Sequence, residues 1–142
     1  MSSLLENIQQ LLEYTEQKTL LYVEDDPFVR VSMVEMLESL FRASNITIAT
    51  DGEQGLEAYQ NYYRQTNSYY DIIITDISMP RLNGDKMSKI ILSLNSKQLI
   101  IVMTAYNQID SLDTLQNSGV NIIQKPLVLQ ELLEVITSVI IK

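Results

Sequence analysis

Cysteine and histidine are both absent from the 142 residues, and basic residues are scarce, ten against eighteen acidic. Without cysteine there are no disulfides and no thiolate metal sites; without histidine the commonest general base and zinc ligand is missing. Histidine-based triads and zinc hydrolysis are therefore excluded, and any metal must be held by oxygen. The net charge of −8 argues against this chain gripping a nucleic-acid backbone by itself. No apolar run approaches the ~18 residues of a membrane span, and the start, Met-Ser-Ser-Leu-Leu-Glu, lacks the basic residues and long apolar stretch of a signal peptide. A soluble, cytoplasmic protein without membrane contact is the expectation. With 46% hydrophobic residues the chain can bury a core, and its length fits one domain.

What is present is most informative between Asp71 and Gly84. Ile72, Ile73 and Ile74 are consecutive β-branched residues without alternation, the pattern of a strand covered on both faces by helices. Asp76 stands at that strand's carboxyl end. Pro80 cannot extend a central strand and Asn83-Gly84 is a turn signal, so the chain leaves the sheet across a short loop. In open α/β sheets that edge is where ligands bind.

Along the chain the same alternation recurs. Leu4, Leu5, Ile8, Leu11 and Leu12 lie at helical spacing in an amphipathic segment from Leu4 to Thr15. It is under two heptads, short of the roughly three or four a coiled coil needs, and reads as a helix folded onto its own domain or left from a linker rather than a dimer zipper. Thr19 to Val23 is an apolar strand ending in Glu24-Asp25-Asp26 before Pro27. Asp26-Pro27 is a good cap and first-turn pair for a helix with the stripe Val29, Met33, Met36, Leu37 and Leu40. Capping uses one acid, which leaves Glu24 and Asp25. Ile46 to Ala49 is a short strand, Gly52 to Tyr63 a helix with Leu56 and Tyr59 inward, and Lys86 to Leu94 a helix with Met87, Ile90, Ile91 and Leu94. Leu99 to Thr104 is a strand, Ile109 to Gln116 a weaker helix ended by Gly119, and Val120 to Gln124 a strand stopped by Lys125-Pro126. Leu129, Leu132, Leu133, Ile136, Val139 and Ile140 form the last helical stripe. Five strands alternating with five helices predict a parallel sheet with right-handed crossovers and helices on both faces.

Strands of a parallel sheet all point one way, so Glu24, Asp25, Asp76, Thr104 and Lys125 arrive at one edge. Two or three carboxylates and a backbone carbonyl make a hard oxygen site suited to Mg2+. A carboxylate beside such a cation can attack a phosphoryl group and form an aspartyl phosphate. The metal, a Lys ammonium and a Thr hydroxyl would stabilise charge on the equatorial phosphoryl oxygens. With histidine absent, Asp76 is the plausible nucleophile.

The cluster Glu24-Asp25-Asp26-Pro27, the block from Asp71 to Gly84 with Met79-Pro80, the pair Thr104-Ala105 and the pair Lys125-Pro126 occur in order, each at a strand end. In this the chain resembles the receiver domain of two-component response regulators over about residues 19–142. The resemblance implies a flavodoxin-like, doubly wound α/β fold, with five parallel strands in the order 2-1-3-4-5 and the site at the switch point between the first and third strands. Residues 1–18 then form an extra amphipathic helical extension. The resemblance further implies that Asp76 is the phosphoacceptor, that Asp25, Asp76 and the Ser78 carbonyl bind Mg2+, and that Glu24 holds the metal mainly through water. Lys125 would pair with Asp76 or its phosphate, and Thr104 would bond a phosphoryl oxygen. The implied partners are a sensor histidine kinase or phosphotransfer protein and an output partner or output domain. Such a domain is not an enzyme beyond its own phosphorylation and dephosphorylation.

Two departures stand out. In the family, phosphate draws the Thr toward the site while an aromatic side chain on the last strand rotates inward; here that position, three before Lys125, is Ile122. Tyr106, two residues after Thr104, is a bulky group at the mouth of the site that could sense the phosphate or slow its hydrolysis. Between Gln116 and Lys142 there is no Arg, and the charges outside the carboxyl terminus are Lys125, Glu131, Glu134 and Lys142, which disfavours a dimer built on charged pairs and leaves another kind of dimer open. Val128 and Val135 fall off the last core stripe, on a neutral face suited to an apolar partner. Val31 and Val34 lie away from the first stripe, where they could meet a histidine-kinase helix or the helix of residues 4–12. The alternative reading is a degenerate receiver acting as a phosphate-independent binding module, to which Ile122 gives some room. A haloacid-dehalogenase-like phosphatase wants a second acid two residues after its nucleophile, where this chain has Ser78; a flavin carrier wants a Ser/Thr/Gly phosphate loop where it has acids.

Overall fold

The computed structural model describes residues 3–105, 120–125 and 128–140. The expected helix at residues 109–116, Gly119, Tyr106 and Pro126 lie outside the described residues. Five strands, β1 (Leu20–Val23), β2 (Ile46–Ala49), β3 (Ile72–Asp76), β4 (Leu99–Thr104) and β5 (Asn121–Gln124), form one sheet in the order β2-β1-β3-β4-β5. Every pairing is parallel, with Leu20 opposite both Ile46 and Ile72, Asp76 opposite Met103, and Thr104 opposite Gln124. The doubly wound arrangement expected from the sequence is therefore present.

The unbroken apolar runs divide by strand period. Leu21, Val23, Ile73, Ile100 and Val102 point to one face, where Tyr59, Met87 and Ile91 cover them. Leu20, Tyr22, Ile72, Ile74, Ile101, Met103 and Ile123 point to the other, against Met33, Leu37, Leu132 and Ile136. Burial on both faces is what makes β1 and β3 read as continuous hydrophobic runs. The covering helices are α2 (Pro27–Glu38) and α5 (Leu129–Ile140) on the second face, and α3 (Gly52–Thr66) and α4 (Gly84–Leu94) on the first.

Helix α1 (Ser3–Glu16) joins the second face. Leu11 is buried within that cluster, and the buried Thr15 donates its hydroxyl to Leu40 O at 2.7 Å. Arg42 pairs with Glu16 at 2.8 Å, while Ile8 and Leu12 stay half-exposed. The segment is thus folded onto its own domain. Val31 is 65% exposed and α1 does not cover it, whereas Val34 packs against the core. Val135 also packs against the core, one position from Ile136, so its expected place off the stripe is corrected; Val128 is exposed as expected.

Local chemistry moved several boundaries. Helix α3 runs three residues past Tyr63 because Asn67 takes a left-handed conformation at φ 59° and donates its N–H to Tyr63 O. Helix α4 starts two residues before Lys86 because the Asn83 side chain accepts from Lys86 N at 3.2 Å. On α4 only Met87 and Ile91 of the expected apolar stripe are buried; Ile90 and Leu94 lie on its solvent side.

Candidate functional site at the carboxyl edge of the sheet

Glu24 follows β1 and keeps its strand pairing for one more residue, donating N–H to Ala49 O at 3.0 Å. That pairing carries its side chain inward, where it is fully buried. Oε2 accepts from Asp26 N at 3.3 Å, Lys125 Nζ lies 3.9 Å from Oε1, and Oε1 is buried without a hydrogen bond. Asp25 is partly exposed beside it. Asp26 is a cap: its Oδ1 accepts from Phe28 N at 2.9 Å and Val29 N at 3.2 Å. Arg30 clamps the turn from above, its guanidinium donating to Glu24 O at 2.9 Å and Asp25 O at 3.4 Å.

Asp76 ends β3 and is 5% exposed. Its Oδ1 accepts from Ile77 N and from Lys125 Nζ, both at 2.9 Å, so two donors hold one oxygen of the carboxylate. Lys125 reaches it because β5 ends one residue earlier and Lys125 N donates to Thr104 O at 2.7 Å. Thr104 ends β4 one register step beyond the residue opposite Asp76, is buried, and donates its hydroxyl to Ala105 O at 3.1 Å. Ser78 is exposed on the loop between β3 and α4. Gly84 N donates to Ile77 O at 2.6 Å, and a Cβ at Gly84 would stand 2.1 Å from Asp76 O, so that loop closes only on glycine. Ile122, opposite Val102 in β5, is partly buried against the α3–α4 core on the same face as Thr104.

Glu24, Asp25 and Asp76 each place a carboxylate oxygen within 4.8 Å of the others. Burial, then the Asp76 charge, push the Glu24 carboxyl up to about 7, and Lys125 works against that rise. A buried acidic oxygen with no donor, next to two further carboxylates, is the donor set a small hard cation would complete. Mg2+ fits these residues.

Two contacts escaped the sequence reading. Arg30 holds backbone carbonyls rather than acids, for which its position carries no signal. Arg81 pairs with Asp51 at 2.7 Å, linking the loop after Asp76 to the start of α3, which Asp51 also caps.

A family model described as the response regulator receiver domain matches residues 20–137. The chain is 34% identical over 82 residues to a protein-glutamate methylesterase/protein-glutamine glutaminase of Nitrosospira multiformis, covering 58% of this chain and 21% of that protein. It is 29% identical over 125 residues to the sensor protein EvgS of Escherichia coli O157:H7, covering 87% of this chain and 10% of that protein. The chain therefore spans a quarter or less of these relatives' lengths. In fold it is similar to the CheX-CheY-BeF3-Mg2+ complex from Borrelia burgdorferi, with TM-score 0.73 and 24% identity, covering 88% of this chain and 90% of that one.

Proposed function

Since the chain belongs to the response regulator receiver domain family, we propose that it accepts a phosphoryl group on Asp76 and changes its partner binding when it does so. The observation that carries the reading is the convergence of Glu24, Asp25 and Asp76 on one point, with Lys125 Nζ 2.9 Å from Asp76 Oδ1. An Asp76 oxygen attacks phosphorus in a phosphohistidine, the new P–O bond forms as the N–P bond breaks, and the histidine nitrogen takes up a proton. Glu24, Asp25, Asp76 and the Ser78 carbonyl would hold Mg2+, which when bound neutralises phosphoryl charge. Lys125 orients the carboxylate and balances charge on the transferred group. Thr104 supplies a hydroxyl at the same edge, and Ile122 fills the place of a switch aromatic behind it.

The donor is a sensor histidine kinase or phosphotransfer protein. Phe28, 85% exposed, and Val31, 65% exposed, give its helix an apolar footing at the head of α2 beside the acids. Output passes to a partner protein or another domain, without nucleic-acid contact by residues 19–142, and residues 1–18 serve as an extension of the receiver. We assign no turnover of an external substrate, and place the protein in the cytoplasm. No helix among the described residues is long and apolar enough to cross a membrane.

Incubation with acetyl phosphate and Mg2+, followed by intact mass measurement, tests the reading. One added phosphoryl group, lost in Asp76→Asn and after chelation, is expected. No uptake from acetyl phosphate or from a phosphorylated histidine-kinase domain would instead favour a phosphate-independent binding module, the reading that Ile122 in place of an aromatic supports.

A further inference from the structure

We propose that Arg81 is a positioning residue for the metal site, its ion pair with Asp51 fixing the loop that presents the Ser78 carbonyl. The inference rests on the reading of Glu24, Asp25, Asp76 and Ser78 as the Mg2+ ligands. The loop from Ile77 to Asn83 is pinned at its two ends, by Ile77 N on Asp76 Oδ1 at 2.9 Å and by Gly84 N on Ile77 O at 2.6 Å. Between these points Met79 is buried in the core with Leu82 packed against it, Ser78, Pro80 and Arg81 are exposed, and Arg81 adds the polar tie of the exposed part to α3. Arg81 Nη1 lies 2.7 Å from Asp51 Oδ2.

The partner is built to receive it. Asp51 is 2% exposed, and its other oxygen, Oδ1, accepts from Gln54 N at 2.9 Å as the cap of α3. One carboxylate thus serves both the helix start and the loop. The neighbouring residues repeat the join, since a Cβ on Gly52 would stand 1.8 Å from Leu82 O. Arg81 sits at φ 68°, a left-handed backbone unfavourable for an L-residue that carries a Cβ, and yet the position is not glycine. A guanidinium that reaches a buried carboxylate accounts for a side chain being kept there. The site end of the loop and the α3 end are then one rigid piece, and the direction of the Ser78 carbonyl is set by both.

Calorimetric Mg2+ titration of metal-free protein, with urea unfolding run alongside, tests this on Arg81→Gly, Arg81→Lys, Asp51→Asn and the Arg81→Gly/Asp51→Asn double variant. Glycine accepts the left-handed backbone and asparagine keeps the cap, so both variants should fold. Loss of an outer anchor of a metal ligand should weaken Mg2+ binding about 10-fold in Arg81→Gly and in Asp51→Asn. The double variant should lose no more than either alone, and Arg81→Lys should recover part of the affinity. Unchanged affinity in the folded single variants, or losses that multiply in the double variant, would overturn the inference while leaving the metal site standing. Failure of the unaltered protein to bind Mg2+ would overturn the metal site and this inference together.

Discussion

Replacing Glu24 by Gln should stabilise the metal-free protein at pH 8 and do much less at pH 5. Glu24 is fully buried, and burial with the neighbouring Asp76 charge raises its carboxyl from 4.5 to about 7. The folded state therefore holds this proton more tightly than the unfolded chain does. The stability contributed by neutral Glu24 is complete below the unfolded value and is lost as pH rises through the folded one. At 1.36 kcal/mol per unit, the loss between pH 5 and pH 8 comes to about 2–3 kcal/mol, with Lys125 at 3.9 Å already setting its lower side. Glutamine keeps the shape and removes the titration. Urea unfolding in chelator at the two pH values, for both proteins, measures the difference at constant slope. The unaltered protein should weaken toward pH 8, and Mg2+ should stabilise it there by more than it stabilises Glu24→Gln, which keeps Asp25 and Asp76 but has no buried charge to neutralise. An identical stability gap between the two proteins at pH 5 and pH 8 would refute the claim that Glu24 is ionised against its surroundings until a cation arrives.

Lys125→Ala should slow phosphorylation of Asp76 by acetyl phosphate about 100-fold, followed by intact mass against time, because a buried carboxylate and the transferred group both lose their cation. Gly84→Ala should cost on the order of 3 kcal/mol or more in urea unfolding, since the added methyl would stand 2.1 Å from Asp76 O. Leu11→Ala should cost about 2–3 kcal/mol in the same assay and leave Mg2+ affinity unchanged, as Leu11 is buried in the α2–α5 core away from the acids.

The sheet was legible because its signals are redundant. Ile72 to Ile74 and Leu99 to Met103 are apolar on both faces, and the strands that carry them end on Asp76 and Thr104, polar residues that need a partner when buried. The order of strands came from the resemblance and not from these runs, which carry no pairing information. Asp25, Asp76, Thr104 and Lys125 were legible as a set because a parallel sheet brings every strand end to one edge. Asp26 before Pro27 was legible as the cap of α2 and is one, but how deep the other acids lie was not: nothing in Glu24-Asp25-Asp26 says that Glu24 turns fully inward and leaves Oε1 without a hydrogen bond. Side-chain contacts such as Arg30 on Glu24 O and Arg81 on Asp51 depend on loop geometry, which a residue list does not contain. The stripe on α4 misled because Ile90 and Leu94 share a helical period with Ile91 but point past the sheet. The tyrosines Tyr59, Tyr62, Tyr63, Tyr69 and Tyr70, in three stacked pairs at centroid distances of 4.2 to 5.0 Å and one tilted pair at 6.4 Å, form a cluster that composition alone could not locate.

The most direct test of the central claim is to locate the phosphoryl group. Protein treated with acetyl phosphate and Mg2+ is reduced with borohydride, which converts an aspartyl phosphate to homoserine, and its peptides are sequenced by tandem mass spectrometry. Homoserine at position 76, absent when Mg2+ is chelated, is the predicted result. Homoserine at Asp25 or another acid, with position 76 unmodified, would contradict the account.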